Sequence, residues 1–345
     1  MKVLVTGHDG YIGTVLVPMF QEAGHEVVGL DSYLFEGCVF GDDVTAPPAI
    51  RVDVREVAPE HLEGFDAVVH LAAVSNDPLG DLNPGSTLDI NHGGTMRVAE
   101  AAKAAGVERF LYSSSCSLYG AQGDDYLDEG ATFNPVTPYG ESKVLSERDL
   151  AAMADDDFSP TFFRNSTAYG VSPRLRGDLV VNNLTGFAFT TGKVFLKSDG
   201  SSWRPLVHIE DISRAFLAAL EADRSIVHNE AFNVGATEEN YRISDVAQIV
   251  QSVVPDSKVT LSDTAFNDLR NYRVNCDKLT AALPEAKAQW TVKRGVEELY
   301  EAYVRNGLTL EDLEGDRYMR IRHVQTLQDE GRLDAELRWT GAVVG

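Results

Sequence analysis

Three polar side chains in the first half of the sequence are suited to removing hydrogen from an alcohol. Tyr139 and Lys143 are four residues apart in a predicted helix, so they lie on the same face. A tyrosine with its ordinary pKa of about 10 is a poor base at neutral pH, and a nearby ammonium favours its phenolate. Ser115 follows a predicted strand and can hold the same substrate hydroxyl. The triplet predicts proton removal coupled to hydride transfer.

A glycine-rich turn near the start of the chain is suited to holding the hydride acceptor. Gly7, Gly10 and Gly13 lie between a predicted strand, Lys2–Thr6, and a helical pattern. Glycines there permit a tight turn and let a pyrophosphate approach the helix N-terminus. Asp31 ends the second predicted strand, where a carboxylate accepts hydrogen bonds from ribose hydroxyls and disfavours a 2′-phosphate. The sequence therefore predicts NAD rather than NADP.

Short β-branched runs alternate with helical segments in the first half of the chain. The predicted strands are 2–6, 25–31, 50–53, 67–71 and 110–112. Such alternation is typical of parallel strands joined by right-handed helical crossovers. The serine-rich run 113–117 then lies at the carboxyl edge of the sheet, where open α/β sheets bind ligands. A predicted helix over about 138–153 carries Tyr139 and Lys143.

We predict an α/β fold, with a Rossmann-like doubly wound parallel sheet and a smaller, mixed C-terminal substrate lobe. The NAD-binding domain is assigned to 1–171 plus part of 205–235, and the substrate-binding lobe to 172–204 and 236–307. Residues 308–345 are expected to form a C-terminal helical extension that packs on the body or on a partner subunit.

An amphipathic pattern within this extension predicts which of its side chains are buried. Its apolar residues at helical spacing are Tyr318, Ile321, Val324, Leu327 and Leu333. Three arginines, Arg320, Arg322 and Arg332, are assigned to the polar face of the same helix.

Composition limits the partners and the location of the protein. The 345 residues carry 53 acidic and 30 basic side chains, and a net charge of −23 argues against nucleic-acid or anionic-membrane surfaces. Cys38, Cys116 and Cys276 are too few and scattered for a disulfide framework or a zinc site, so no metal is predicted. With a strand beginning at Lys2 and no long apolar run, we expect a cytoplasmic protein.

Taken together, these motifs resemble the extended short-chain dehydrogenase/reductases of the NAD-dependent epimerase/dehydratase family, which mostly modify nucleotide sugars. The likeness covers roughly residues 1–305. Besides the glycine motif and Tyr139-x-x-x-Lys143, the matching segments are Leu71-Ala-Ala73, Asn91, Ser114-Ser115, Trp203–Asp211 and Asn233-Val-Gly235.

The resemblance implies a role for individual residues. The implied catalytic triplet is Ser115, Tyr139 and Lys143. The implied NAD contacts are Gly7, Asp9, Gly10, Tyr11, Ile12, Gly13, Asp31, Asp53, Val54, Leu71, Ala72, Ala73, Asn91, Tyr139 and Lys143. The implied contacts to a nucleotide-diphosphate sugar are Ser75, Ser115, Cys116, Ser117, Thr167, Asn182, Asn183, Leu184, Arg204 and Arg270. Bidentate guanidinium binding of phosphate fits the two arginines.

Positions 116 and 117 narrow the reaction within this resemblance. Family dehydratases carry an Asp-Glu pair after the catalytic serine or threonine, and decarboxylases tend to keep a glutamate there. Family 3,5-epimerases use a cysteine at the place that Ser117 occupies here, one residue from Cys116. We interpret Cys116 as a buried, inert thiol. The remaining hypothesis is an epimerase in which a sugar carbon, expected to be C4, loses a hydride to NAD and regains it on the opposite face.

Other functions on the same fold stay open. A nucleotide-sugar dehydrogenase or ketoreductase with exchangeable NAD is the main alternative, and a dehydratase is less favoured. A non-catalytic NAD-sensing protein predicts loss of Tyr139 or Lys143, and both are present. Thr167, where many epimerases have Asn, and the polar residues in 75–83 and 165–180 are expected to select the sugar. Helices near 93–105 and 139–153 match the dimer interface of relatives and imply a homodimer.

Overall fold

The computed structural model describes residues 1–42, 45–75, 83–266 and 270–341, with the backbone alone for 263–266. Residues 76–82 of the expected sugar-selecting loop therefore lie outside the described part. The strands are β1 Lys2–Thr6, β2 Glu26–Asp31, β3 Ala49–Arg51, β4 Ala67–His70, β5 Arg109–Ser115, β6 Ala121–Leu127, β7 Ser159–Asn165, β8 Thr167–Tyr169, β9 Lys193–Ser198, β10 Trp203–His208, β11 Glu230–Val234, β12 Asn240–Arg242, β13 Lys258–Phe266 and β14 Asn271–Val274.

Helices connect these strands and surround the sheet. They are α1 Gly13–Glu22, α2 Pro84–Leu88, α3 Gly94–Ala104, α4 Pro138–Ala152, α5 Val180–Thr191, α6 Ile209–Glu221, α7 Arg224–Val227, α8 Ile243–Val253, α9 Asp277–Ala282, α10 Val292–Asn306, α11 Leu310–Glu314 and α12 Arg320–Asp329. Short 3₁₀ turns lie at Val54–Glu56, Pro59–His61, Cys116–Tyr119 and Pro284–Ala286, and a π-turn at Asp89–Gly93 precedes α3.

Seven strands form one parallel sheet in the order β11-β7-β5-β4-β1-β2-β3. The chain starts at β1, moves out to β3 and returns past β1 to β4, so a topological switch point lies between β1 and β4. Val5 packs toward α1 and α6 on one face, and Leu4 packs toward α3 on the other. This arrangement confirms the predicted Rossmann-like doubly wound sheet.

The second half of the chain adds smaller sheets, as the predicted mixed lobe requires. β10 lies between β8, which is parallel to it, and β12, which is antiparallel. β9 pairs with β13, and β6 pairs with β14. Apolar side chains of α5, α8 and α10 pack into one core beside these strands. Across the described residues, no helix combines the length and apolarity that a membrane span requires.

The C-terminal extension differs from the single amphipathic helix that the sequence predicts. It forms two short helices, α11 and α12, and Leu333 lies beyond them in a bridge with Trp339. Arg322 and Arg332 are exposed, as predicted, but Arg320 is only 3% exposed. The prediction for Arg320 was wrong because α12 begins at this residue and directs it inward, where its guanidinium lies 3.8 Å from the centre of the Phe35 ring.

A small apolar core attaches the extension to the body of the same chain. Its buried members are Val74, Val324, Leu327, Leu333 and Leu337, with Leu34, Phe35, Ile90, Ile321 and Trp339 packed against them. The core thus joins the last helix to the loops that follow β2 and β4.

Removing one large side chain from this core tests whether the extension contributes to global stability. Leu327 is 3% exposed, so Leu327→Ala is expected to lower the free energy of unfolding by about 2–4 kcal/mol. Gln325→Ala, on the exposed side of α12, is the control and is expected to stay within about 0.5 kcal/mol of wild type. Urea denaturation measures both. Equal values for the two variants would show that the extension does not unfold with the body.

Candidate active site

A cavity of about 600 Å³ crosses the carboxyl edge of the parallel sheet. It extends from Asp31 and Asp53 at one end to Arg204 and Arg270 at the other. The predicted site residues that line it are Gly7, Asp9, Gly10, Tyr11, Ile12, Gly13, Asp31, Asp53, Val54, Leu71, Ala72, Ala73, Ser75, Ser115, Ser117, Tyr139, Lys143, Thr167, Asn183, Leu184, Arg204 and Arg270. The structure therefore brings most of the predicted contacts around one space.

The glycine turn is too tight for any side chain at two of its positions. Gly7 has a φ of +74°, and a Cβ atom there would lie 2.8 Å from the Ala72 nitrogen. A Cβ atom on Gly13 would lie 2.4 Å from the carbonyl oxygens of Gly7 and His8. The turn leads directly into α1, whose N-terminus faces the cavity. This backbone fits a dinucleotide pyrophosphate, because phosphate oxygens bind exposed amides at a helix N-terminus.

Asp31 is held at the end of β2 by backbone donors. Its carboxylate accepts hydrogen bonds from the Asp9 nitrogen at 3.1 Å and the Tyr33 nitrogen at 2.8 Å. Burial raises the pKa of this carboxyl, and these two amides oppose the rise. Fixed at the cavity wall, Asp31 is oriented as an acceptor for ribose hydroxyls, which is the role predicted for it.

Asp53 forms an ion pair with a neighbouring arginine. It caps the turn Val54–Glu56 and binds Arg55 through both carboxylate oxygens, at 3.0 Å from Nε and 2.6 Å from Nη2. Although burial opposes the effect, hydrogen bonds from Arg55 lower the pKa of Asp53. Both residues line the cavity next to Val54, so the implied NAD contact of Asp53 would be made by an ion pair and not by a lone carboxylate.

The three implied catalytic residues come from two elements that meet at the cavity. Ser115 ends β5, and its Oγ accepts a hydrogen bond from the Ser117 nitrogen at 3.1 Å. Tyr139 lies in the first turn of α4, which Thr137 caps through the Gly140 nitrogen. Lys143 Nζ donates to the Ser113 carbonyl at 2.7 Å and lies 5.6 Å from the centre of the Tyr139 ring. The hydroxyl of Ser115 therefore keeps its proton available for donation to a substrate oxygen.

Burial brings the pKa of Lys143 close to neutral pH. The side chain is 3% exposed, and burial lowers its pKa to about 7, with Glu147 acting in the opposite direction. A lysine in this range changes protonation state near neutral pH, whereas an exposed lysine stays protonated. In its charged form Lys143 stabilises a phenolate at Tyr139.

A buried ion pair that was not predicted from the sequence holds α4 against the parallel sheet. Glu147 of α4 forms an ion pair with Arg164 of β7, with Oε2 at 2.8 Å from Nη2. Glu147 also accepts a hydrogen bond from the Ser114 hydroxyl. Arg164 donates to the Tyr119 hydroxyl at 3.0 Å, which in turn donates to Asn233 on β11 at 2.8 Å. The only sign of this ion pair in the sequence is Arg164, a charged residue near the end of an apolar strand.

Three predicted contacts do not line the cavity. Asn91 was assigned to the cofactor, but its amide is fully buried and bonds both the nitrogen and the oxygen of Val74. Cys116 was assigned to the substrate, but its thiol donates to the Arg164 carbonyl. Asn182 accepts from the Gly170 nitrogen and donates to the Arg176 carbonyl. These hydrogen bonds of the three side chains are made to backbone groups. The side chains therefore support the walls of the cavity and do not line it.

Two further arginines come from the loop after β8, and one of them, Arg176, lines the cavity. Arg174 forms an ion pair with Asp9 of the glycine motif, at 2.6 Å. Arg176 lines the cavity, forms an ion pair with Asp178 at 2.8 Å, and donates to Ser75 Oγ at 3.0 Å. The expectation named only the range 165–180, because nothing local distinguishes these arginines from surface charges.

The lowered pKa of Lys143 has a measurable consequence for stability. The unfolded lysine binds its proton below about pH 10.4 and the folded one only below about 7, so stability rises with pH across this window. Lys143→Met removes the titration and is expected to be more stable than wild type near pH 7. The difference should shrink toward pH 10. Denaturation at several pH values measures it, and a pH-independent difference would contradict it; the more exposed Lys103→Met is the control.

The Glu147–Arg164 pair predicts strong coupling between two substitutions. Arg164→Met leaves a buried carboxylate without its cation and is expected to cost about 3–5 kcal/mol of unfolding free energy. Adding Glu147→Gln removes that charge, so the double variant should be more stable than Arg164→Met alone. A double-mutant cycle by urea denaturation measures the coupling energy, and additive penalties would rule it out.

Known proteins resemble this chain over most of its length. UDP-glucose 4-epimerase of Bacillus subtilis (strain 168) is 26% identical over 325 residues, which cover 87% of this chain and 94% of the relative. The solved structure of MoeE5 with UDP-glucuronic acid and NAD is 27% identical, with a TM-score of 0.77, covering 89% of this chain and 100% of MoeE5. TunA, an NAD-dependent NDP-hexosamine 5,6-dehydratase, shares the fold at 22% identity, with a TM-score of 0.79 and coverage of 88% and 98%.

A family model supports the resemblance found in the motifs. It is described as the NAD dependent epimerase/dehydratase family and matches residues 3–235, which include the glycine motif, Ser115, Tyr139 and Lys143. NAD is the cofactor of this family, in agreement with the prediction from Asp31. Since the match spans more than half of its length, the chain belongs to the NAD dependent epimerase/dehydratase family.

Proposed function

We propose that this protein is a nucleotide-sugar epimerase that inverts a hydroxyl-bearing sugar carbon, C4 by analogy with its relatives. The observation that carries the proposal is the set of acidic groups around the cavity. Among the described residues the lining carboxylates are Asp9, Asp31, Asp53 and Asp178. Each is already held, three by arginines and Asp31 by backbone amides.

This pattern disfavours dehydration, which needs an acid and a base beside the sugar in addition to the Ser-Tyr-Lys triplet. The residues after Ser115 supply neither. Burial raises the pKa of the Cys116 thiol far above neutrality, and the thiol points to the Arg164 carbonyl. Ser117 lines the cavity with a neutral hydroxyl. Epimerisation needs only the triplet and a bound hydride carrier.

Each member of the triplet has a defined task in this reaction. Tyr139, as phenolate, accepts the proton of the sugar hydroxyl and later returns it. Ser115 donates a hydrogen bond to the same oxygen, because its own Oγ already accepts from Ser117. Lys143 stabilises the phenolate through its charge. Gly7–Gly13 and Asp31 would hold NAD, which would supply reversible acceptance of the hydride.

The nucleotide part of the substrate is assigned to the opposite end of the cavity. Arg204 and Arg270 line this end together with Asn183 and Tyr272. Arg204 is 5% exposed and donates to the carbonyls of Trp203 and Arg270. A diphosphate is the anion that such guanidinium groups recognise. The named substrates of the relatives, UDP-glucose and UDP-glucuronic acid, support a uridine nucleotide sugar as the first class to test.

A homodimer through α3 and α4 stays part of the proposal by analogy with relatives. The two helices contact each other in the described chain. The division into an NAD-binding domain, 1–171 with part of 205–235, and a substrate lobe is likewise proposed.

The deciding experiment follows the cofactor and the sugar together. We expect purified protein to release near-stoichiometric NAD on denaturation, and to interconvert C4 epimers of a UDP-sugar without added NAD, detected by NMR. Tyr139→Phe should lower the rate by about 10²–10⁴-fold while NAD content is unchanged. Tyr126→Phe, at an exposed tyrosine of β6, is the matched control.

Other products would identify the alternatives. Net formation of NADH in proportion to substrate would indicate a dehydrogenase, and dependence on added NADH a ketoreductase. Loss of one water from the sugar, seen by mass spectrometry, would indicate a dehydratase. Any of these results would replace the epimerase proposal.

A further inference from the structure

The C-terminal extension forms one wall of the cavity at the end where Asp31 lies. Met319, Arg320 and Leu337 line the cavity beside Leu34 and Phe35 from the loop after β2. A hydrogen bond from a side chain to the backbone helps to fix this wall, with Trp339 Nε1 donating to the Ser32 carbonyl at 2.7 Å. These residues of the C-terminal extension therefore belong to the expected cofactor end of the site.

Arg320 is a buried cation with an unused donor. Its Nη2 donates to the Arg174 carbonyl at 3.2 Å, and its guanidinium stacks on Phe35. Among the described residues Nη1 has no hydrogen-bond partner, and no carboxylate forms an ion pair with Arg320. Burial lowers the pKa of Arg320 to about 10, and the nearby charge of Arg176 adds to this effect. Burying a guanidinium costs free energy unless an anion pairs with it.

Three arginines and three carboxylates lie together here, and Arg320 is the arginine without an ion-pair partner among the described residues. Arg174 and Arg176 are paired with Asp9 and Asp178. Asp31 is close enough for its charge to interact with Arg320, but its oxygens accept backbone amides. An anion entering the cavity here would give Arg320 the hydrogen-bonded partner that it lacks.

The start of α12 adds a second feature that attracts anions. The helix has ten residues, begins at Arg320, and has no side-chain cap at Met319 and no acidic residue in its first turn. Its first intrahelical bond runs from the His323 nitrogen to the Met319 carbonyl. The preceding amides carry the partial positive charge of the helix terminus, next to the unused Nη1 of Arg320.

We infer that Arg320 and the N-terminus of α12 bind the pyrophosphate of NAD. The pyrophosphate is the anionic part of NAD, and its expected cradle, the glycine turn, is connected to Arg320 by two contacts. Asp9 of that turn pairs with Arg174, and the Arg174 carbonyl accepts from Arg320. The cofactor is thus held by a segment at each end of the chain.

Arg320 lies outside the part of the chain that the family model matches, because that match ends at residue 235. TunA and MoeE5 are covered for 98% and 100% of their length, yet cover only 88% and 89% of this chain. The unmatched share is about the size of the segment 308–345.

Nucleotide affinities test the inference without reference to any sugar reaction. The dissociation constants of NAD, ADP and adenosine are measured by calorimetry on cofactor-stripped protein. Arg320→Gln is expected to weaken NAD and ADP by about 10-fold or more, as loss of a charge-assisted contact predicts, and to leave adenosine within about 2-fold. Arg322→Gln removes the same charge from the exposed side of α12 and should change none of the three.

Each other result would overturn the inference. Equal NAD affinity of Arg320→Gln and Arg322→Gln would exclude the contact, and an equal loss for adenosine would place it on the nucleoside. Melting curves without nucleotide show whether the variants fold. If Arg320→Gln does not fold, Arg320→Lys keeps the charge and should bind ADP less tightly than wild type, and unchanged ADP affinity would count against the guanidinium contact. Failure here leaves the epimerase proposal untouched, because these affinities are measured without any sugar and the epimerase assay is run on wild-type protein.

Discussion

The buried ion pair between Glu147 and Arg164 is the contact on which the geometry of the site depends. Ser115 is carried by a strand, whereas Tyr139 and Lys143 are carried by a helix, and no local rule sets the distance between them. Glu147 connects that helix to β7 through Arg164 and to β5 through Ser114. A buried pair gains little net stability, because desolvation offsets its attraction. Its hydrogen bonds to Ser114 and Arg164 fix α4 against both strands at once.

Local patterns were sufficient to predict the fold and the centre of the site. β-branched runs, the glycine spacing and the Tyr-x-x-x-Lys pair depend on neighbours within a few residues, and each lies where the sequence predicts. Arg164, Arg176 and Arg320 were missed or misplaced for the opposite reason. Their roles come from contacts with segments far away along the chain, and helical periodicity assigns an arginine to solvent by default. Asn91 and Asn182 were assigned to ligands but do not line the cavity, because a motif does not show which way an amide points.

The strongly acidic composition contrasts with the interior of the cavity. Most carboxylates of the described residues lie on the surface, whereas three of the four carboxylates in the cavity wall are paired with arginines and the fourth, Asp31, accepts backbone amides. Substrate and cofactor therefore meet fixed dipoles and ion pairs, with no free acid beside Tyr139 among the described residues. Such a wall supports the proposed exchange of a proton and a hydride at one carbon. Burial of Lys143 beside this wall lowers its pKa to about 7.

The wall formed by Met319, Arg320 and Leu337 also sets an order of events during protein synthesis. The ribosome makes the glycine turn and the central sheet first, and domains generally fold from the N-terminal side as they emerge. Met319, Arg320 and Leu337 follow all seven strands of that sheet in the sequence, so they emerge from the ribosome after it. A nascent chain can thus complete its sheet while the cavity is still open on one side, and closure of the cavity waits for the extension.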